Sequence, residues 1–225
     1  MAQEIEIKLR IGDPKALNRA LKRLGARPAN VGGGRVHEWN VIFDTPEGGL
    51  AKHGQLLRIR METPTAKLKK GKPKLGRRTV LTFKRPFVAG SGAPGNAKVN
   101  HRHKVREEFE VEVADAGILT SIFEGLGMRG WFRYEKYRTT FHLAESANWA
   151  KGLLIELDET PLGVFVELEG PAGAIDRAAR ELGYSRRDYV LKNYLVLYLE
   201  ECRRQGKEPK DMVFAAQNSR RKRKQ

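Results

Sequence analysis

EIEIKLRI, residues 4–11, alternates without a break. In an extended chain Glu4, Glu6, Lys8 and Arg10 fall on one face and Ile5, Ile7, Leu9 and Ile11 on the other. A single strand of this kind is an ordinary surface strand with its charges in water. The reading changes because the pattern recurs along the chain.

GQLLRIRME sets Leu56, Arg58, Arg60 and Glu62 against Leu57, Ile59 and Met61. LTFKRP sets Thr82 and Lys84 against Leu81 and Phe83, and VREEFEVEV sets Arg106, Glu108, Glu110 and Glu112 against Val105, Glu107, Phe109, Val111 and Val113. RYEKYRTTFHL sets Lys136, Arg138 and Thr140 against Glu135, Tyr137 and Phe141. LIELDET offers Glu156 and Asp158 opposite Ile155 and Leu157, and VFVELEG offers Phe165, Glu167 and Glu169 opposite Val164, Val166 and Leu168. With RVHEWNVIFD at 35–44 the chain holds about eight strands, some joined by turns as short as ETPLG, which suggests an antiparallel sheet or barrel.

Helical patterns lie between the strands. DPKALNRALKRLG (13–25) has Asp13 as N-cap, Pro14 at the first helical position and Gly25 as stop. DAGILTSIFEGLG (115–127) and AGAIDRAARELG (172–183) end in the same Leu-Gly manner, and RRDYVLKNYLVLYLEECRR (186–204) reads as a longer, more apolar helix. These helices need an apolar surface, which the aliphatic strand faces supply. The charged faces then point the other way: into solvent if the sheet is open, into a lumen if it closes.

Closure would raise the electrostatic stakes. Unit charges about 4 Å apart interact by about 1 kcal/mol in water and about 4 kcal/mol at an effective dielectric near 20. A lumen crowded with both signs calls for a charged guest. Basic side chains receive an anion, clustered carboxylates a hard divalent cation through oxygen ligation. Anion with Mg²⁺ or Mn²⁺ means phosphate, best a polyphosphate able to span the lumen.

Composition narrows the class. The chain has 225 residues, 40% hydrophobic and 31% charged, with a net charge of +16. Residues 65–78 and 203–225 each hold a net +7, so the remainder carries only +2 and overall basicity is weak support for nucleic acid. Cys202 is the single cysteine, which excludes an internal disulfide and a cysteine-rich metal site. The N-terminus shows no apolar signal region, and the longest apolar run, YLVLYL, is too short for a bilayer. The expectation is a soluble protein of a reducing compartment, the cytoplasm in a bacterium.

Several motifs carry bland readings. His37, His53, His101, His103 and His142 share no ligand spacing. Trp39, Trp131 and Trp149 read as packing or rim residues, and Asp44-Thr45-Pro46 as a structural turn. The triple glycine at 32–34 lacks P-loop context, and RRKRK at 220–224 reads as a solvated tail.

In order along the chain, Glu4-x-Glu6-x-Lys8, FDTPEGGLAKHGQLLRIR, LTFKRP, VREEFEVEV, EKYRTTF and LDETPLGVFVELEG together resemble the CYTH family, the triphosphate tunnel metalloenzymes, over about residues 3–200. The resemblance implies an α+β fold: an eight-stranded antiparallel β-barrel with helices packed outside, residues 1–204. A long basic, Gly/Pro-rich segment at 63–103 departs from the family pattern and reads as an insertion, and the basic tail at 205–225, outside the resemblance, is expected to be disordered. The resemblance implies triphosphate binding by Lys8, Arg58, Arg60, Lys84, Arg106, Lys136 and Arg138, with Lys192 closing one mouth. It implies Mg²⁺ or Mn²⁺ on Glu4, Glu6, Glu108, Glu110, Asp158, Glu167 and Glu169, and a catalytic set of Lys84, Glu6 and Glu108. Asn40 and Ile42 depart from the family pattern, standing where many relatives have an acid and a tyrosine.

The activity implied is metal-dependent hydrolysis of tripolyphosphate or of an organic triphosphate such as thiamine triphosphate or a nucleotide. Two alternatives remain: a class IV-type adenylyl cyclase, and a non-catalytic module binding polyphosphate or nucleic acid through the basic loop and tail. The partner expected is a small molecule rather than a membrane, with the chain as monomer or homodimer.

Overall fold

The computed structural model describes residues 2–29, 34–65, 76–87, 102–144 and 146–215. The elements run β1 (Ala2–Ile11), α1 (Pro14–Arg23), β2 (Arg27–Pro28), β3 (Arg35–Asp44), α2 (Gly49–Lys52), β4 (Leu56–Pro64), β5 (Arg78–Pro86), β6 (Lys104–Glu112), α3 (Ala116–Gly125), β7 (Arg129–His142), β8 (Leu154–Thr160), β9 (Gly163–Glu169), α4 (Ala172–Glu181), β10 (Tyr189–Val190) and α5 (Tyr194–Gln205). Eight strands form an antiparallel ring in the order β1, β6, β5, β4, β3, β7, β8, β9, closed by β9 pairing back onto β1. The short β2 and β10 add to β7 and β1 from outside the ring. The five helices lie outside this barrel.

The alternation in EIEIKLRI now has its cause. Ile7, Leu9 and Ile11 are buried in a core shared with Leu17, Ala20 and Leu21 of α1 and Ile175, Ala178 and Ala179 of α4. Closure also buries the charged face, so Glu4, Glu6 and Lys8 are each at most 6% exposed. On the opposite wall Phe123 of α3 packs on Phe43, Leu57 and Ile59, leaving Arg58 and Arg60 inward.

One end of the ring is filled by apolar side chains. Ile42, Phe132, Tyr134 and Phe165 meet Tyr194 at the start of α5 and Met212 beyond it. The helix expected over 186–204 is broken here: Arg186–Asp188 form a 3₁₀ turn, β10 follows, and Asn193 restarts the helix by accepting from the Val196 amide. The break lets one segment add a strand to β1 and then lay a helix across the barrel end.

Two expected boundaries need correction. The stretch 63–103 is no single insertion, because β5 within it is a full ring strand between β4 and β6. Residues 66–75 and 88–101 flanking it, with His101, lie outside the described residues. The first part of the supposed tail packs: Met212 is 1% exposed, bridges in parallel to Tyr134, and is followed by the Phe214 amide donating to Glu135. Residues 216–225, including RRKRK, lie outside the described residues, as do Gly32 and Gly33.

Candidate active site and metal centre

A cavity of about 110 Å³ occupies the barrel interior. Its wall contains all seven basic residues expected there, Lys8, Arg58, Arg60, Lys84, Arg106, Lys136 and Arg138. Lys104, which the sequence reading did not single out, joins them.

The acids sort into two kinds. Glu4, Glu108 and Glu169 bring carboxylate oxygens within 4.8 Å of one another. They meet because β1 lies between β6 and β9: Glu4 pairs with Arg106, Glu6 with Glu169, and diagonal neighbours on adjacent strands share one face. Lys84 on β5 donates to Glu4 at 2.6 Å and lies 2.9 Å from Glu108. The second Glu4 oxygen, Oε2, is buried without a hydrogen-bond partner among the described residues, with Arg106 4.0 Å away. Burial, then Glu156 and Glu4, pushes the Glu169 carboxyl up to about 8, and burial raises that of Glu108 against the pull of Lys84. Hard oxygen donors, an orphaned buried oxygen and carboxyls that resist ionising side by side all fit a divalent cation such as Mg²⁺ or Mn²⁺.

The other four acids expected to ligate metal are tied into ion pairs. Glu6 faces Lys8 at 3.5 Å, Arg106 at 3.8 Å and Lys104. Burial works to raise the Glu6 carboxyl, but Lys8 and Lys104 outweigh it and hold it well below its usual range. Burial and Lys8 in turn bring the Lys104 amine down to about 8. Glu167 sits 3.1 Å from Lys8 and also binds Arg138. Asp158, fully buried, accepts from Lys136 at 2.8 Å, Arg138 at 2.7 Å and the Tyr194 hydroxyl at 2.8 Å. Glu110 accepts from Arg60 at 2.8 Å and Thr82 at 2.7 Å.

Glu38 and Tyr134 escaped the sequence reading, and Glu156, read there on the charged face, was given no site role. Glu38 lies 3.5 Å from Lys136, 3.6 Å from Arg138 and 3.7 Å from Arg60; burial opposes its ionisation, but these three cations bring it down to about 2. Strand parity was the available signal, since Glu38, Asn40 and Ile42 share the inward face. Tyr134 accepts from Arg58 at 3.0 Å. Glu156 pairs with Arg138 and is pushed up to about 7, first by burial and then, against Arg138, by Glu167. Lys192, expected to close a mouth, is placed on the surface, 2.6 Å from Glu200. The turn reading of Asp44 holds: it accepts from the amides of Thr45, Leu50 and Ala51.

The profile of the CYTH domain matches residues 2–194. Solved structures of the same fold include a Vibrio parahaemolyticus protein described as a candidate adenylate cyclase, with TM-score 0.63 and 17% identity over 86% of this chain and 96% of that one. The PH1819 protein of Pyrococcus horikoshii OT3 aligns with TM-score 0.61 and 23% identity over 88% and 99%. A Hippeastrum adenylyl cyclase candidate with a dominant triphosphatase activity aligns with TM-score 0.51 and 22% identity over 92% and 97%. No curated protein matches the sequence. No helix among the described residues is long and apolar enough to cross a membrane.

Proposed function

Because the chain belongs to the CYTH family, whose members bind triphosphates and depend on metal, we propose that it is a phosphohydrolase acting on inorganic tripolyphosphate or on the phosphate chain of an organic triphosphate. The observation that carries this reading is the size and lining of the cavity. At about 110 Å³ the cavity has room for several water-sized groups, and the eight basic side chains in its wall suit it to part of a phosphate chain with any organic substituent left outside.

Lys8, Arg58, Arg60, Arg106, Lys136 and Arg138 hold phosphate oxygens by charge-assisted hydrogen bonds. Glu4, Glu108 and Glu169 hold Mg²⁺ or Mn²⁺, which neutralises the chain and polarises the reacting phosphoryl group or water. Lys84, in contact with Glu4 and Glu108, is placed to touch both the metal's ligands and the substrate, and is the candidate catalytic lysine. Glu6 orients Lys8 and Arg106 and so serves the substrate's position rather than the metal.

The charge balance supports metal dependence. Eight bases face nine acids: Glu4, Glu6, Glu38, Glu108, Glu110, Glu156, Asp158, Glu167 and Glu169. With Glu169 protonated at neutral pH and Glu156 partly so, the charges of the described lumen residues nearly cancel, and a cation entering beside Glu4, Glu108 and Glu169 adds the positive charge a polyanion needs.

A cyclase reading draws on Ile42, Leu56 and Leu195, an apolar margin of the cavity able to receive a nucleobase. Incubation of tripolyphosphate, thiamine triphosphate and ATP with each metal, followed by product analysis, separates the readings. Orthophosphate release supports hydrolysis, and cyclic AMP with pyrophosphate supports cyclisation. Binding without turnover of any of them supports a non-catalytic polyphosphate module.

A further inference from the structure

The strand motif that begins at Arg106 extends one inward position further than expected. Lys104, Arg106, Glu108 and Glu110 all line the cavity. Lys104 is the first residue of β6, and its neighbour in the ladder is Glu6 of β1; the pairing of β6 with β5 extends only as far as Arg106. A lysine at a strand end, with a ladder on one side only, has little in the sheet to fix it.

What fixes it lies outside the barrel, one residue back. His103, 5% exposed, meets Asp176 of α4 through Nε2 at 2.9 Å. The other Asp176 oxygen accepts from Arg186 at 2.6 Å, and Tyr189 at the start of β10 donates to Asp176 at 3.0 Å. This clasp joins the head of β6 to α4 and to the segment that pairs with β1. His103 is the bend residue immediately before β6, so anchoring its side chain to α4 fixes the backbone from which Lys104 enters the strand and points into the cavity.

Lys104 meets Glu6, which also faces Lys8 and Arg106. Lys8 is shared with Glu167 at 3.1 Å and Arg106 lies 4.0 Å from Glu4, whereas the carboxylate Lys104 meets among the described residues is Glu6, so of the three cations Lys104 has the least carboxylate around it to compete with a bound anion. We propose that Lys104 is an additional phosphate-holding residue of the tunnel and that His103, through Asp176, is its positioning residue. The inference rests on the triphosphate reading above and adds to it one more cation, at the head of β6, able to reach a polyphosphate oxyanion.

The test is binding of tripolyphosphate in the presence of Mg²⁺, by calorimetry, with the thermal midpoint of each variant as a check on folding. Lys104→Met should weaken binding about tenfold, and Lys104→Arg should restore most of it. His103→Gln should weaken binding several-fold in the native background and have no further effect beside Lys104→Met, since coupled residues are not additive. If His103→Gln does not fold, Asp176→Asn takes its place in the same cycle. Native affinity in Lys104→Met overturns the assignment of Lys104. An undiminished effect of His103→Gln beside Lys104→Met overturns the positioning role. Failure of the native protein to bind tripolyphosphate overturns the triphosphate reading itself, and this inference with it.

Discussion

Lys84 and Glu4 meet at 2.6 Å, and the contact uses only one of the two Glu4 oxygens; the other, Oε2, is buried and accepts no hydrogen bond from the described residues. A buried carboxylate oxygen left without a hydrogen bond costs on the order of 1–3 kcal/mol or more. Next to Glu108 and Glu169 it is a ligand in waiting. Chelator should abolish turnover, and Mg²⁺ or Mn²⁺ should restore it. Glu108→Gln should cut turnover by roughly 100-fold or more while the fold survives. Full activity of that variant at limiting metal would remove Glu108 from the metal site.

The acids also give the metal-free protein a pH signature. The Glu169 carboxyl, at about 8 in the fold against 4.5 ordinarily, binds a proton in the folded state that the unfolded chain releases. Its contribution is therefore favourable below pH 4.5 and lost as pH rises through about 8. In chelator, the thermal midpoint should fall between pH 5.5 and 8.5 by more than it does in Glu169→Gln. Saturating Mg²⁺ should flatten the profile, since the cation replaces the proton.

Glu6 and Ile7 are adjacent and opposite. Ile7 is fully buried in the core with α1 and α4, so Ile7→Gln should cost roughly 2–4 kcal/mol whether or not ligand is present. Glu6→Gln leaves Lys8, Lys104 and Arg106 short of a partner and should also destabilise the protein. Here tripolyphosphate with Mg²⁺ should recover most of the loss. Denaturant melts with and without ligand distinguish the two faces, and ligand rescue of Ile7→Gln would contradict the assignment.

Gly170 sits at φ +140, where a Cβ would lie 2.3 Å from the carbonyl oxygen of Gly152. Neither backbone can yield cheaply, so Gly170→Ala should cost at least about 2 kcal/mol. The residue before it is Glu169, so metal affinity should fall together with the thermal midpoint. A variant as stable and as metal-responsive as the parent would show that this close approach relaxes.

Period-two alternation made most of the lumen legible, because a closed barrel preserves strand parity: Lys8, Arg58, Arg60, Lys84, Arg106, Lys136 and Arg138 all face inward. It could not sort the acids. Whether a glutamate joins a metal cluster or an ion pair depends on register between strands far apart in sequence, as with Glu4, Glu108 and Glu169. Lys104 was hidden by the Gly/Pro-rich stretch before it, and Glu38 by the departures at Asn40 and Ile42 beside it. Met212 was masked because the short apolar run MVFAA at 212–216 sits inside a strongly basic segment and was averaged into the tail.

The closing seam of the ring joins the first strand of the barrel to its last: Glu6 of β1 pairs with Glu169 of β9. During synthesis β1 waits for more than half the chain to follow before its second neighbour exists, which makes the fold rich in non-local contacts and slow to form. Until then its charged face is wet, and its free edge is open to pairing with another chain. The cost of drying the lumen falls due at that one late step. A polyanion entering with its cation at that moment would offset the cost, so refolding with Mg²⁺ and tripolyphosphate should be faster and less prone to aggregate than refolding in chelator. The substrate would then act on the nascent protein as a template for the ring that later binds it.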